Sequence, residues 1–267
     1  TKSLTRSLVE AVLGIRYEEI PEEALQTAHH CLLDFHGEPL AGAPEPLTDI
    51  LIGEVVRGEA AQEAGIIGRP ERATRLTAAL VNGAAGHALD FDDTHTTMIG
   101  HPSGPVLPAL LALGETEEAG GQALLAALVA GVELECRVGT LLGGMHYAAG
   151  FHTTGTVGTF GAAAACAHLL GLDREGWLHA LGLAGTQAAG LKSAFGTMAK
   201  PLHAGRAASA GLLSALLARG GFTSQPAILE VSQGFLATHA GSEASSEVLA
   251  RYADRFLIRE TLFKYHA

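Results

Sequence analysis

The sequence predicts an all-α fold, a multi-helix bundle, on three observations. Hydrophobic residues make up 48% of the 267, and aromatics only 5%. Ala and Gly dominate the apolar share, and small side chains let helices approach closely. Stretches that alternate β-branched residues with period two are sparse, whereas apolar residues recur at helical spacing along most of the chain.

Taken in order, residues 4–14 carry apolar positions three and four apart. Pro21-Glu-Glu is a helix start, and 21–41 runs through Ala24, Leu25, Ala28, Cys31, Leu32 and Phe35 until Gly37 and Pro39 loosen it. A short amphipathic helix is predicted over 46–58, then a charged connector at 59–72. The helix predicted over 73–94 ends in an Asp-rich run, and a loop follows to residue 104. Helices come next at 105–116 and 121–139, with Gly143-Gly144 and Gly150 marking a flexible connection. The last three are 156–171, 173–190 and 201–219, stopped by Gly220-Gly221. The two Gly/Ala-rich helices at 156–190 belong at the centre. Residues 1–221 read as the main helical domain, and 222–267 as a helical extension with a helix near 243–254.

The formal net charge of −11 argues against nucleic acid as a partner. Phe151 to Leu172 lacks Asp, Glu, Lys and Arg, yet it contains His152, His168, four Thr and many Gly. Its transfer to lipid is weakly favourable at best, so a buried helix is expected rather than a membrane span. Cys31, Cys136 and Cys166 lie far apart in apolar sequence and read as buried, reduced thiols. The polar start Thr-Lys-Ser-Leu-Thr-Arg has no signal-peptide pattern, and a cytoplasmic location is expected. No Gly-rich phosphate loop follows a strand, which speaks against nucleotide cofactors.

Three segments place a polar or cationic residue just before a helix start: His101-Pro-Ser-Gly-Pro105, His152-Thr-Thr-Gly, and Lys200-Pro-Leu-His203. In the first, Ser103 or Gly104 suits the cap. Helix N-termini attract anions, so convergence of the three starts would make an anion pocket inside an acidic protein. A Lys in an apolar stretch, as Lys200 is, suits acid–base work. In His87-Ala-Leu-Asp-Phe-Asp-Asp-Thr-His95, helical spacing puts His87, Asp90 and Thr94 on one face and sends Asp92 and Asp93 elsewhere. The plain structural alternative is a solvated helix end. Two metal readings also stand here. Asp92-Asp93 resembles the magnesium motif of terpene synthases but lacks its later Asp, and His87 with Asp90 would give zinc only two ligands.

The same residues carry a resemblance. Ala88-Leu-Asp-Phe-Asp-Asp-Thr94, His101-Pro-Ser-Gly-Pro-Val-Leu-Pro108, Gly150-Phe-His-Thr-Thr-Gly155 and Met198-Ala-Lys-Pro-Leu-His-Ala-Gly205 resemble motifs of the MmgE/PrpD family. Leu33-Asp-Phe-His-Gly37 and Gly220-Gly-Phe-Thr223 match as well. That family includes 2-methylcitrate dehydratase, cis-aconitate decarboxylase and iminodisuccinate epimerase. The resemblance implies a helical main domain, a smaller α/β lid absent from this chain, and a homodimer. It carries over Asp90, Thr94, His101, His152 and Lys200 as active-site residues, with His203 a weaker candidate. The loop from Thr94 to His101 is a residue longer than in the decarboxylase.

What the resemblance implies is a lyase without cofactor or metal, acting on a small polycarboxylate by proton transfer beside a carboxylate. His152 is expected to move the proton, with His101 as partner acid or carboxylate holder. Lys200 would stabilise developing negative charge. Asp90 and Thr94 would orient the substrate, and Ser103 and His203 would bind it. A 2-methylcitrate dehydratase-like reaction is the leading expectation, with decarboxylase- or epimerase-like activity as alternatives. A non-catalytic truncated helical subunit is the reading from another class.

Overall fold

A helix that is apolar all round is stable only where it is covered all round, and the uncharged stretch after Phe151 meets that condition. A computed structural model describes residues 3–240, 249–250 and 254–266. In chain order its helices are α1 (Leu4–Val12), α2 (Glu22–Gly42), α3 (Pro46–Leu51), α4 (Arg75–Gly86) and α5 (Ser103–Thr116). There follow α6 (Gly121–Ala148), α7 (Thr153–Leu169), α8 (Arg174–Gln187), α9 (Ala199–Arg219) and α10 (Phe235–His239). Every residue of α7 from Thr153 to Ala167 is buried. Helices α5, α6, α8 and α9 surround it, and α4 packs on the outer side of α5 and α9. So α7 is the axis of the bundle. Helix α8 covers it from one side only, with Arg174 and Glu175 exposed.

Small residues set the helix spacing. Where α4 crosses α9, a methyl group added at Gly83 would stand 2.8 Å from the Gly205 Cα. One added at Gly211 would stand 2.6 Å from the Ala163 nitrogen of α7. At these points two backbones touch with no side chain between them, which is what a composition rich in Ala and Gly permits.

Four elements depart from the sequence reading. Helix α2 continues through Gly37 and Pro39 to Gly42. Its buried stripe of Ala28, Cys31, Phe35, Glu38 and Pro39 holds it straight, so packing overrides propensity. The helix expected over 73–94 stops at Gly86. The expected flexible link at Gly143-Gly144 is a sharp redirection within α6, where Gly143 adopts φ 59° and ψ −170°, a conformation open to glycine. The connector at 59–72 holds a small ladder, β1 (Ala64–Gly65) antiparallel to β2 (Arg72–Ala73).

The extension after Gly221 returns to the bundle. Residues Thr94–His95 (β3) pair antiparallel with Thr261–Leu262 (β4), tying the end of the chain to the loop after the Asp-rich run. The helix expected near 243–254 lies largely outside the described residues. No helix among those described is long and apolar enough to cross a membrane, and all three cysteines are buried and free.

The close crossings make a prediction. Gly205→Ala drives a methyl group into the Leu80 carbonyl of α4 and lowers stability by about 1–3 kcal/mol. Gly144→Ala meets nothing within 4 Å and leaves stability unchanged. Urea unfolding of both variants checks this; equal midpoints would remove the packing argument.

Candidate active site

The site begins where α4 ends. His87 caps the helix, and Asp90 then takes φ +57°, a left-handed conformation that Asp tolerates better than most residues. The turn replaces the helical face assumed for His87, Asp90 and Thr94: Asp90 and Thr94 still share one side, but His87 joins Asp92 instead. Asp90 faces a cavity, while Asp92 and Asp93 are wholly buried rather than solvated. Continuing α4 would have set three carboxylates against its negative C-terminal end; ending it at Gly86 avoids that. Asp93 instead accepts the backbone N–H of Ser103 at 3.1 Å, at the positive start of α5.

A cavity of about 460 Å³ opens beside this turn. Asp90, Thr94, His101, His152 and Lys200 all line it, together with Thr154, Tyr147, Phe195 and Lys264. Five of the seven residues singled out from sequence therefore share one wall. Ser103 and His203 do not line it. Ser103 is buried behind the wall, beside Asp93. The start of α5 is satisfied by Asp93. The starts of α7 and α9 do reach the cavity, through Thr154 and Lys200. Thr154 Oγ1 accepts the His101 backbone N–H at 3.2 Å.

Two ammonium groups converge on one carboxylate. Lys200 Nζ and Lys264 Nζ each stand 2.9 Å from Asp90 Oδ1, and Lys264 also donates to the Asp90 carbonyl at 2.7 Å. Partial burial opposes ionisation of Asp90, but the two lysines outweigh it and hold the carboxyl at about 2. Lys200 therefore sits in an ion pair rather than in the apolar setting its sequence neighbours suggested. Lys264 was not singled out from sequence. The available signal was scarcity, since the chain has only four lysines.

Behind this wall lies a second carboxylate. Asp92 Oδ2 stands 2.7 Å from His87 Nδ1 and 3.2 Å from His101 Nδ1. Burial opposes its ionisation, yet the two imidazoles hold it well below the usual carboxylate range. With a carboxylate as acceptor, both rings carry their proton on Nδ1. That leaves His101 Nε2 facing the cavity, 3.8 Å from Asp90 Oδ1. The His152 ring stacks 5.6 Å from that of His87 and meets Phe195 edge-on at 4.9 Å. Its Nδ1 is 2.9 Å from His203 Nδ1. Burial first, then His87, His203, His101 and Lys200, lower His152 to about 2, so the empty site holds a neutral imidazole.

Three other buried acids are shifted upward by their surroundings, while buried Glu133 is paired with Arg137. Burial and the Asp92 charge raise Asp93 to about 7. Burial, Asp92, Asp93 and Asp34 raise Glu38 to about 11. Glu135, fully buried on α6 with neither oxygen bonded among the described residues, is raised well above its ordinary value, chiefly by burial. Of the four acids Glu38, Asp92, Asp93 and Glu135, Asp92 is the one shifted downward.

His87, Asp90, Asp92 and His101 offer ligand atoms all within 4.8 Å of one another, a spacing a metal ion could use. The donors are already engaged by cations and ring protons. Asp90 Oδ1 accepts from two ammonium groups, and Asp92 Oδ2 from two imidazoles. A metal would have to displace both lysines, so the donor set does not fit one.

Comparison with known proteins follows the same residues. The profile of the MmgE/PrpD N-terminal domain matches residues 6–247. Human cis-aconitate decarboxylase is 32% identical over 251 residues, covering 90% of this chain and 51% of that protein. The cis-aconitate decarboxylase-like protein oryM of Aspergillus oryzae is 33% identical over 241 residues, covering 87% and 50%. Cis-aconitate decarboxylase of Aspergillus terreus is 32% identical over 224 residues, covering 81% and 46%. The chain spans about half the length of the curated relatives it matches.

The buried acids make a prediction about stability. Glu38 holds its proton more tightly folded than unfolded, so its contribution is intact at low pH and lost as pH rises above the ordinary carboxyl range. Glu38→Gln keeps the neutral shape and removes that loss. The variant gains stability over the parent, by a margin larger at pH 9 than at pH 6 in urea unfolding. A margin independent of pH would show that Glu38 does not titrate this way.

Proposed function

Because this chain belongs to the MmgE/PrpD family, we propose that it carries the catalytic face of a cofactor-independent lyase for a small polycarboxylate. One observation carries the reading: two ammonium groups and three imidazoles line a single cavity in a protein of net charge −11. Such a cavity selects anions by local charge, against the field of the whole molecule. As part of the same proposal, the protein works as a homodimer in the cytoplasm.

Lys200 and Lys264 take the substrate carboxylates, sharing charge now given to Asp90. His101 holds a second carboxylate only once the bound anion has favoured its imidazolium form, with Nε2 then protonated and donating. Thr94 and Asp90 fix the orientation. A bound polyanion favours the imidazolium form of the neutral His152 beside it, so His152 gains a proton as substrate binds. In a decarboxylation, the C–C bond to one carboxylate breaks and carbon dioxide leaves. The electron pair spreads toward a carboxylate held by the lysines, and His152 delivers its proton to carbon. In a dehydration, proton removal beside a carboxylate and loss of hydroxide use the same groups. The relatives' names support decarboxylation over dehydration as the leading form.

The test is proton NMR in deuterated water with cis-aconitate, 2-methylcitrate, citrate and iminodisuccinate offered in turn. Itaconate formation marks decarboxylation, new vinyl signals mark dehydration, and exchange with inversion marks epimerisation. His152→Ala and Lys200→Ala each lower turnover by about 10²-fold or more. Turnover that survives the double substitution would overturn the site. Silence toward every compound favours a non-catalytic helical subunit.

Proton uptake gives a test that needs no turnover. Between pH 7 and 9, where a saturated tricarboxylate is already fully ionised, its Kd weakens by up to about tenfold per pH unit. Calorimetry in buffers of different ionisation heat should count protons taken up by the complex. A Kd independent of pH would exclude uptake by His152.

A further inference from the structure

His203 does not touch the cavity that holds the proposed chemistry, but it touches the imidazole that the chemistry needs. The Nδ1 atoms of His203 and His152 face each other at 2.9 Å, their ring centroids 5.2 Å apart. Two neutral imidazoles meeting nitrogen to nitrogen share one proton. His152 thus has Nε2 left for the first cavity, and His203 Nε2 has no partner among the described residues. On its far side, His203 lines a second cavity of about 510 Å³, with Gln187, Ser193, Thr197 and Arg206 and no carboxylate.

The backbone is shaped to let the two rings meet. A methyl group at Gly155 would stand 3.1 Å from His203 Cβ, and one at Gly190 would stand 3.4 Å from His152 Cβ. Gly190 has φ +152° and its carbonyl accepts the His152 N–H at 3.0 Å. His87, His101 and Lys200 surround His152 on the cavity side. None of them offers it a path to the second cavity.

We propose that His203 relays protons between water in the second cavity and His152, so that the first cavity can exchange a proton while substrate fills it. The proposal rests on His152 as the proton-transfer group. A decarboxylation consumes one proton, and the relay supplies it from solvent. A hydronium ion or buffer acid protonates His203 Nε2, His203 passes its Nδ1 proton to His152 Nδ1, and His152 Nε2 gives its proton to the substrate carbon. Each ring gains one proton and loses one. Product release admits water to the first cavity, and a proton passing the other way restores both tautomers. His203 is then a relay and positioning residue rather than a substrate contact.

The test separates relay from propping. In His203→Asn the amide nitrogen occupies the place of Nδ1 and still donates to His152, but it cannot pass a proton on. The expected result is a kcat lower by about tenfold or more with KM within about twofold. His203→Ala opens the partition, and added imidazole restores its turnover through the second cavity. Full turnover by His203→Asn overturns the relay, as does a His203→Ala defect that imidazole leaves untouched. Nitrogen-15 NMR of the unliganded protein tests the dyad apart from any reaction. A shared proton gives a coupled, downfield signal between the two rings that His203→Asn lacks. Its absence from the parent protein overturns the dyad. Silence of the parent toward every polycarboxylate, with that signal present, counts against the reaction and not against the pair.

Discussion

The interaction on which the site depends is the burial of one ionised carboxylate, Asp92, between His87 and His101. An isolated charge in a protein interior costs several kcal/mol, and it persists only where partners surround it. Here the partners are two imidazoles at 2.7 and 3.2 Å. The arrangement has consequences in both directions. Inward, its charge adds to burial in raising Asp93 and Glu38. Outward, it fixes both histidines as Nδ1 donors, which turns His101 Nε2 toward the cavity. The chain reaches this geometry only because α4 stops at Gly86 and Asp90 turns left-handed.

Charge in the cavity is managed separately from charge in the core. Asp90 accepts from Lys200 and Lys264 together, so the wall keeps an excess of one positive charge before His101 and His152 are counted. An anion that binds there competes with Asp90 for ammonium groups already desolvated and aimed. Preorganised donors of this kind need little rearrangement when charge develops on a substrate. The lysines come from distant parts of the chain, one from the first turn of α9 and one from the segment after β4. The short β3–β4 ladder is what brings the second into place.

Much of this was legible in the sequence. The charge-free run after Phe151 could only be a covered helix, and α7 is that helix. His101, His152 and Lys200 stood out as polar residues at helix starts in weakly charged sequence, and they do line one cavity. The motifs that resemble the MmgE/PrpD family named the same residues. The Asp-rich run was misjudged for a definite reason. Helical periodicity places side chains only while the helix lasts, and it ended four residues before Asp90. Lys264 was invisible because its neighbours Phe263 and Tyr265 suggest nothing, and because its partner is 174 positions away. Ser103 fitted a cap by residue type, but the cap it receives is the Asp93 carboxylate from the preceding loop.

A neutral His152 is the feature that links fold to chemistry. Were the imidazole protonated, it would lose hydration to burial and face the Lys200 ammonium beside it. Burial on α7 and stacking on His87 keep it uncharged until an anion arrives. In the proposed reaction the charge of the ligand therefore decides the protonation of the group that acts on it. This coupling requires the ring to be dry on one side and connected to a proton source on the other. Gly155 and Gly190 admit His203 to that position, and no larger side chain fits at either point without moving a backbone carbonyl or a ring. In the proposed relay Gly155 and Gly190 thus serve the proton path together with the two histidines.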